Sequence, residues 1–189
     1  MDMDAPGYLS NHFLIAMPAL ADPNFARGLT LLCQHSPEGA MGLMVNRPSD
    51  YTLSDVLNQM GIETADLALG QSPVLIGGPV HPERGFVLHD DPREWSSTLR
   101  FGDGLAVTTS REILVAMARG EGPKHVLVML GYSGWEAGQL EAELGENAWL
   151  TAPADQAIVF DTPLEARWQR AASTLGVDLR LLSDSAGHA

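Results

Sequence analysis

The chain is poor in cysteine, basic residues and long apolar runs, and each shortage excludes a class of protein. One cysteine, Cys33, in 189 residues cannot form an internal disulfide, which agrees with a reducing compartment. Only 11 lysines and arginines accompany 24 acidic residues, giving a net charge of −13 that disfavours contact with nucleic acid and anionic lipid. No apolar run approaches the roughly 20 residues of a membrane span, and the acidic start Met1-Asp2-Met3-Asp4 does not resemble a secretory signal. We therefore expect a cytoplasmic protein without direct nucleic-acid or membrane binding.

The remaining composition fits one folded unit. A hydrophobic fraction of 45% with 19 glycines and 12 prolines predicts a single compact domain with many turns. We expect this domain to cover residues 8–182. The small, acidic segment 1–7 and the polar tail 183–189 are predicted to be flexible.

Apolar spacing predicts more strands than helices. Strands are expected near Phe13 to Met17, Leu29 to His35, Ala40 to Asn46, Val74 to Gly77, Gly85 to His89, Thr98 to Phe101, Leu105 to Thr108, His125 to Leu130 and Ala157 to Phe160. Helices are expected from Thr52 to Met60, from Ser110 to Arg119, and from an N-cap at Thr162 to a stop at Gly176. This order predicts an α+β fold with a mixed, largely antiparallel sheet.

Several motifs together resemble one family. They are Leu14-Ile15-Ala16-Met17-Pro18, Asp22-Pro23-Asn24-Phe25, Cys33-Gln34-His35, Gly42 to Pro48, Gly77-Gly78-Pro79-Val80, Arg84 to His89, and Gly131-Tyr132-Ser133-Gly134-Trp135 through Leu150. Over roughly Gly7 to Leu182, the chain resembles the AlgH/YqgE family (UPF0301) of bacterial cytosolic proteins. The resemblance implies a single α+β domain whose bifurcated sheet folds into a pseudo-barrel with flanking helices. It also implies no established biochemical activity, although some members carry a regulatory label connected with alginate production.

The stretch from Val126 to Gly145 predicts a strand that turns directly into a helix. Val126 to Leu130 is apolar on both faces, which is typical of a central strand. Ser133 and Glu136 have the spacing of a capping box, and Tyr132 with Ala137 could form the accompanying hydrophobic staple. We therefore expect a helix start at Ser133, which explains these residues without a ligand.

Glu141 is the unusual carboxylate of that helix. It falls between an apolar stripe and a stripe of small residues, whereas Gln139 and Glu143 share a face expected to meet solvent. A carboxylate between two packed faces needs a cation or several donors. We hypothesise that Glu141 pairs with an arginine, with Arg47 and Arg84 as the leading candidates.

The same stretch imitates part of a serine-hydrolase elbow. Gly131 and Ser133 have the required spacing, but Trp135 replaces the final glycine. The only histidine after Ser133 is His188, in the tail. The pattern therefore disfavours a serine hydrolase.

The strand that carries Cys33 leaves two interpretations open. Alternation places Cys33 and His35 on one face with core leucines, and simple hairpin pairing would set Cys33 opposite Gly42. The thiol is then either an inert small hydrophobe or a reactive group influenced by His35. Cys-x-His supplies only two metal ligands, and His81, His89 and His125 do not complete a set. We expect no metal and no cofactor.

Two further segments place polar groups at chain turns. Pro48 forces Arg47 into extended geometry after Asn46, which fixes the direction of a carboxylate-binding guanidinium. Gly77-Gly78-Pro79 followed by Arg84 predicts a hairpin turn and lacks the spacing of a phosphate loop. The carboxylate partner of Arg47 is either Glu141 or an acidic ligand.

These patterns favour a non-enzymatic regulatory or binding protein with a protein or small-molecule partner. The alternative is a thiol-dependent enzyme or redox sensor, which requires an accessible Cys33 thiol of lowered pKa. A direct transcription factor would need a basic face and is disfavoured by the charge. The candidate functional residues are Cys33, His35, Asn46, Arg47, Gly77, Gly78, Arg84, Tyr132, Trp135 and Glu141.

Overall fold

The fold is built on a sheet that curls and forks. The computed structural model describes residues 8–102 and 104–186. Its strands are β1 His12–Ala16, β2 Leu29–Ser36, β3 Gly39–Met44, β4 Pro48–Thr52, β5 Pro73–Ile76, β6 Val80–His89, β7 Thr98–Phe101, β8 Leu105–Thr108, β9 Val126–Glu136 and β10 Trp149–Pro153. Its helices are α1 Leu53–Gln59, α2 Leu67–Gly70, α3 Arg111–Ala118, α4 Gln139–Gly145, α5 Gln156–Asp161, a 3₁₀ turn Leu164–Ala166, α6 Arg167–Ser173 and α7 Leu179–Ala186.

Strand β9 is where the sheet divides. The main order is β10-β1-β2-β3-β9-β6-β8-β7, and β4 joins through β5. The first half of β9 pairs in parallel with β5, its second half pairs antiparallel with β3, and β6 lies along its other edge. The expected α+β fold with a largely antiparallel, bifurcated half-barrel sheet is therefore confirmed, as is the central position of β9.

Gly77 and Gly78 occupy the point of the fork, where two backbones touch. A Cβ atom on Gly77 would lie 2.3 Å from the carbonyl oxygen of Gly131. A Cβ atom on Gly78 would lie 2.2 Å from the carbonyl carbon of Tyr132. Only glycine permits this approach, so both residues serve the sheet and are not the turn of a hairpin.

Three cores surround the sheet. Nine of the ten strands, all except β4, send buried side chains into the largest core, which α5, α6 and α7 cover on the inside of the curl. On the outside, α1 and α3 pack on β5, β6 and β9. Helix α4 and the loop 17–28 cover the outer face of β1, β2 and β10.

The predicted helix start at Ser133 is wrong. Strand β9 continues to Glu136 because residues Ser133 to Glu136 pair with Gly39 to Gly42 of β3. Helix α4 begins only at Gln139, after Gly138 in the left-handed region at φ 79° and without a side-chain cap. A ladder with a neighbouring strand has outweighed a local capping pattern, so the capping box and the staple are absent.

Some of the other predicted elements are confirmed, and others are wrong. The helices expected after Thr52 and Ser110 are present as α1 and α3, and Thr52 forms a capping box with Asp55. The strand expected at Ala157 to Phe160 is instead helix α5, which the Asp155 side chain caps. Thr162 donates to the Ala157 carbonyl oxygen and ends α5, so the next helix begins two residues later as a 3₁₀ turn.

The sequence did not indicate β4, β10, α2 or α7. Helix α7 runs to Ala186, into the segment assigned to the tail. Residues 1–7 and 187–189 lie outside the described residues, so the flexible ends stay a prediction.

Candidate functional site

Asn46 and Arg47 fasten a loop and do not face a carboxylate. The Arg47 guanidinium donates to the backbone carbonyl oxygens of Pro23, Asn24 and Ala26 at 2.6 to 3.0 Å. The Asn46 side chain accepts from the N–H of Leu29 and donates to the carbonyl oxygen of Arg27. These bonds hold the loop 17–28 against the end of β3.

Glu141 pairs with a histidine, so the arginine hypothesis is wrong. Its Oε2 lies 3.1 Å from Nε2 of His35, whose side chain is fully buried, while the Glu141 side chain is 43% exposed. The backbone N–H of Leu9 donates to Nδ1 of His35 at 3.0 Å. The proton therefore sits on Nε2, and neutral His35 donates to the Glu141 carboxylate.

A β-bulge at Cys33 explains why His35 faces α4. Leu32 pairs with Gly42 and Gln34 with Met41, so Cys33 has no partner of its own on β3. The extra residue reverses the alternation. Cys33 stays in the inner core, whereas His35 pairs with Ala40 on the outer face. The predicted Cys33–Gly42 pairing and the shared face of Cys33 and His35 are both wrong.

The Cys33 thiol does not meet the requirement of the redox alternative. The residue is 1% exposed, and desolvation by burial raises the pKa of its thiol. Its nearest polar contact is the Leu31 carbonyl oxygen, 3.7 Å from Sγ. Cys33 therefore packs as a small hydrophobe.

Trp135 belongs to an aromatic cluster held by Glu143. Oε1 of Glu143 accepts from the indole N–H of Trp135 at 3.0 Å and of Trp149 at 2.9 Å. Oε2 accepts from the Gln139 side chain. Phe25 stacks on Trp135 with ring centroids 6.0 Å apart. Gln139 is exposed and Glu143 is half-buried on the same face of α4, so solvent reaches both, and Glu143 also accepts from the two indoles.

An open groove of about 1000 Å³ lies at the end of the curled sheet that α5, α6 and α7 leave uncovered. It brings together three candidate residues, Arg84, Tyr132 and Trp135. The other lining residues are Gln34, Ala40, Met41, Val80, Phe86, Ser97, Thr98, Leu99, Val107, Thr109, Gly134 and Glu136. We call this cavity the inner groove.

The inner groove is open because the half-barrel closes at one end only. A Cβ atom on Gly102, after β7, would lie 2.0 Å from the Asn11 side chain, beside β1. The Asn11 carbonyl oxygen accepts from the N–H of Ala154, after β10. At the other end of β7, Ser97 to Leu99 line the groove, and among the described strands none pairs with this edge.

A second cavity of about 930 Å³ lies on the opposite face, between α1 and α3. Its floor comes from β6, β8 and β9, and its rim includes Asp50, Asp55 and Glu83. We call it the interhelical cleft. The four residues His81 to Arg84 bulge from β6 between the two cavities, since Val80 pairs with Tyr132 but Gly85 with Leu130. None of the residues that line the interhelical cleft was among the candidate functional residues, because the sequence pattern assigned the apolar ones to the core.

A buried polar chain links β6, β8 and β7. The N–H of Asp91 donates to Nδ1 of His89, so His89 carries its proton on Nε2 and donates to Thr108 at 2.8 Å. The Thr108 hydroxyl continues to Thr98, which donates to the Trp95 carbonyl oxygen. Desolvation by burial lowers the pKa of His89. The sequence did not indicate this chain of hydrogen bonds.

Two side chains singled out in the sequence are still to be placed: Arg84, a candidate functional residue, and Ser133, from the hydrolase-like pattern. The Arg84 guanidinium lies 5.7 Å from the centre of the Phe86 ring and has no acceptor among the described residues. The buried hydroxyl of Ser133 donates to the Gly77 carbonyl oxygen at 3.1 Å.

Within residues 8–102 and 104–186, no three His, Cys, Asp or Glu side chains are grouped to hold a metal ion, and no helix of that part is long and apolar enough to span a membrane.

The curled, forked sheet with helices inside and outside its curl defines a single-domain α+β half-barrel protein. The sequence model of the AlgH-like family (DUF179) matches residues 13–180, and the chain belongs to that family. UPF0301 proteins of Xanthomonas campestris pv. campestris and Xanthomonas oryzae pv. oryzae are each 62% identical to it over 184 residues, 97% of this chain and 98% of the relative.

Two solved structures share the fold. The solution structure of the AlgH protein from Pseudomonas aeruginosa is 52% identical, with a TM-score of 0.81 and coverage of 97% of both chains. A crystal structure of a Corynebacterium diphtheriae protein is 21% identical, with a TM-score of 0.71 over 93% of this chain and 91% of that one, and shares the fold alone. The family resemblance expected from the motifs is confirmed.

Proposed function

We propose that this protein is a non-enzymatic, cytoplasmic binding protein whose inner groove takes an extended peptide segment of a partner protein. The observation that carries the proposal is the uncovered edge of β7 beside the groove. An edge strand presents a row of free N–H and C=O groups, and a partner strand can pair with them.

The side chains of the inner groove suit such a segment. Met41, Leu99 and Tyr132 are half-buried and give apolar contacts for alternate residues of a strand. Ser97, Thr98 and Thr109 add hydroxyl groups. The lining is thus apolar with dispersed hydrogen-bonding groups, which is typical of peptide recognition.

The charges of the groove favour binding over catalysis. Its lining residues include no histidine, cysteine or lysine, and its charged members are Arg84 and Glu136. Neither a nucleophile with an adjacent base nor a pair of carboxylates flanks a common point. Arg84 has no acceptor in the described part of the chain and suits an acidic residue of the partner.

Selection of peptides tests the proposal. A display library of random peptides of about ten residues, long enough to cross the sheet edge, is panned against the purified protein. We expect enriched sequences that alternate apolar and polar residues and carry an aspartate or glutamate.

The strongest enriched peptide is then measured by calorimetry against Arg84→Gln and against Arg119→Gln, an exposed arginine outside both cavities. Loss of the guanidinium is expected to weaken binding about tenfold, whereas the control stays within about twofold. Failure to enrich any peptide, or equal affinity for both variants, contradicts the proposal.

A further inference from the structure

The interhelical cleft is a second, partly open site, and its lining shares only Phe86 and Thr109 with that of the inner groove. Helix α1 and strand β4 form one wall, the start of α3 forms another, and the bulge of β6 closes an end. A volume of about 930 Å³ lies within the range of small-molecule pockets. Its floor contains the buried side chains of Val87, Leu114 and Val128.

The cleft carries charge of one sign. Asp50, Asp55 and Glu83 line it, and none of its lining residues is a lysine, arginine or histidine. Asp55 already caps α1 through Thr52. Asp50 and Glu83 are exposed carboxylates, and only Glu83 has a described ionic neighbour, His81 at 3.6 Å.

A polar atom at the cleft also lacks a partner. The hydroxyl oxygen of Ser110 is buried and has no hydrogen bond among the described residues. Ser110 precedes α3, yet its side chain makes no capping bond there. A buried hydroxyl without a partner is costly, and the Ser110 side chain would have to rotate before this oxygen, which has almost no accessible surface, could meet a ligand group in the cleft.

We propose that the interhelical cleft binds a small organic cation. An apolar body would rest on the floor of the cleft, and an ammonium group would face Asp50 and Glu83. The charge complementarity selects this class, because an anion of the same shape would meet three carboxylates and no cation.

Matched probes test the charge preference by NMR titration of the full chain. The probes are 2-phenylethylammonium and 3-phenylpropanoate, each added to about 10 mM, where millimolar binding is visible. We expect the ammonium to shift the amide signals of Val56, Val87 and Leu114, less so in high salt. No shift at these residues, an equal shift with the carboxylate, or a shift confined to Leu99 and Tyr132 overturns the proposal.

Two variants separate binding from folding. Asp50→Asn with Glu83→Gln should weaken binding of the ammonium about tenfold, whereas Glu38→Gln with Glu94→Gln changes the net charge equally outside both cavities and should leave it within about twofold. Gly85→Leu should abolish the shifts without lowering Tm, since a Cβ atom there meets no atom within 4 Å and enters the open cleft. Unchanged affinity in both cleft variants overturns the proposal.

Discussion

At the scale of the residue, the fold itself supplies the hydrogen-bond partners of several candidate polar groups. Glu143 receives two indole N–H groups, Arg47 receives three carbonyl oxygens, and His35 donates to Glu141. Among the candidates, the polar groups of Arg84 and Tyr132 have no hydrogen-bond partner in the described ranges. The candidate residues therefore separate into those that hold the fold and these two, which line an open site, while Trp135 does both.

The contact between His35 and Glu141 gives a prediction on stability. His35→Ala leaves the Leu9 N–H without its acceptor and should lower the free energy of unfolding by about 2–3 kcal/mol. Glu141→Gln retains an oxygen for the Nε2–H group of His35 and should cost less than about 1 kcal/mol. Urea denaturation measures both, with Glu146→Gln, at the opposite end of α4, as the exposed control. Equal losses of unfolding free energy for the two variants would contradict the assignment of the Glu141 contact as a weak surface interaction.

Much of the residue-level environment was readable from the alternation of apolar and polar residues. It placed Leu29, Leu31 and Cys33 in the core. It could not place His35, because one extra residue in a β-bulge leaves no mark in an apolar run. Because the bulge at Cys33 was missed, His35 was assigned to the wrong face of the strand and its contacts were wrong as well.

At the scale of the element, the fork of the sheet is a place where the fold tolerates no side chain. Two strands leave β9 on the same side, and Gly77 and Gly78 let the backbones cross without a side chain between them. The family motif at these glycines is thus explained by packing, with no need for a ligand.

Alanine substitutions test the role of the fork. Gly77→Ala and Gly78→Ala would each push a methyl group into backbone atoms less than 2.5 Å away, so each should cost more than about 3 kcal/mol of unfolding free energy. Gly85→Ala is the control, since its Cβ meets nothing within 4 Å and should change stability by about 0.5 kcal/mol or less. Thermal and urea denaturation give the values. Near-native stability of the two fork variants would refute this account of the glycines.

Some element boundaries follow from local signals, and others are decided by contacts elsewhere in the fold. The helix start predicted at Thr52 is confirmed as the N-cap of α1, whereas the N-cap predicted at Thr162 is wrong because Thr162 ends α5. Ser133 with Glu136 offered an equally good local signal, but pairing with β3 is non-local and no spacing reveals it. Helix α5 read as a strand because Ala157 to Phe160 is a short apolar run, which periodicity alone cannot assign.

At the scale of the whole molecule, one curled sheet presents two cavities of different character on its two faces. The inner groove has an open strand edge and is lined by Glu136 and by Arg84, which has no acceptor among the described residues, while the described lining of the interhelical cleft has carboxylates and no lysine, arginine or histidine. The bulge of β6 from His81 to Arg84 separates them. The fold class was predictable from the order of elements, but the cavities were not, because they arise from strands far apart in sequence.

Global stability should depend on pH through His89. Burial lowers the pKa of His89 in the folded protein, whereas His89 in the unfolded chain has its ordinary pKa of about 6.5. Below that pH the unfolded chain therefore binds a proton that the folded protein does not bind. Stability is therefore expected to fall as the pH drops from 7 to 5. In His89→Gln the dependence over this interval should be weaker, as measured by urea denaturation at each pH. Parallel pH profiles for the two proteins would contradict the neutral, buried assignment of His89.

The central claim is that the inner groove binds a partner segment along the edge of β7, and hydrogen–deuterium exchange with an enriched peptide bound tests it most directly. We expect that those amides of Thr98 to Phe101 that point away from β8 exchange at least about tenfold more slowly in the complex, while amides of α1 and α3 beside the interhelical cleft are unchanged. Exchange in β7 that is unaffected by the bound peptide, or protection confined to α1 and α3, would contradict it.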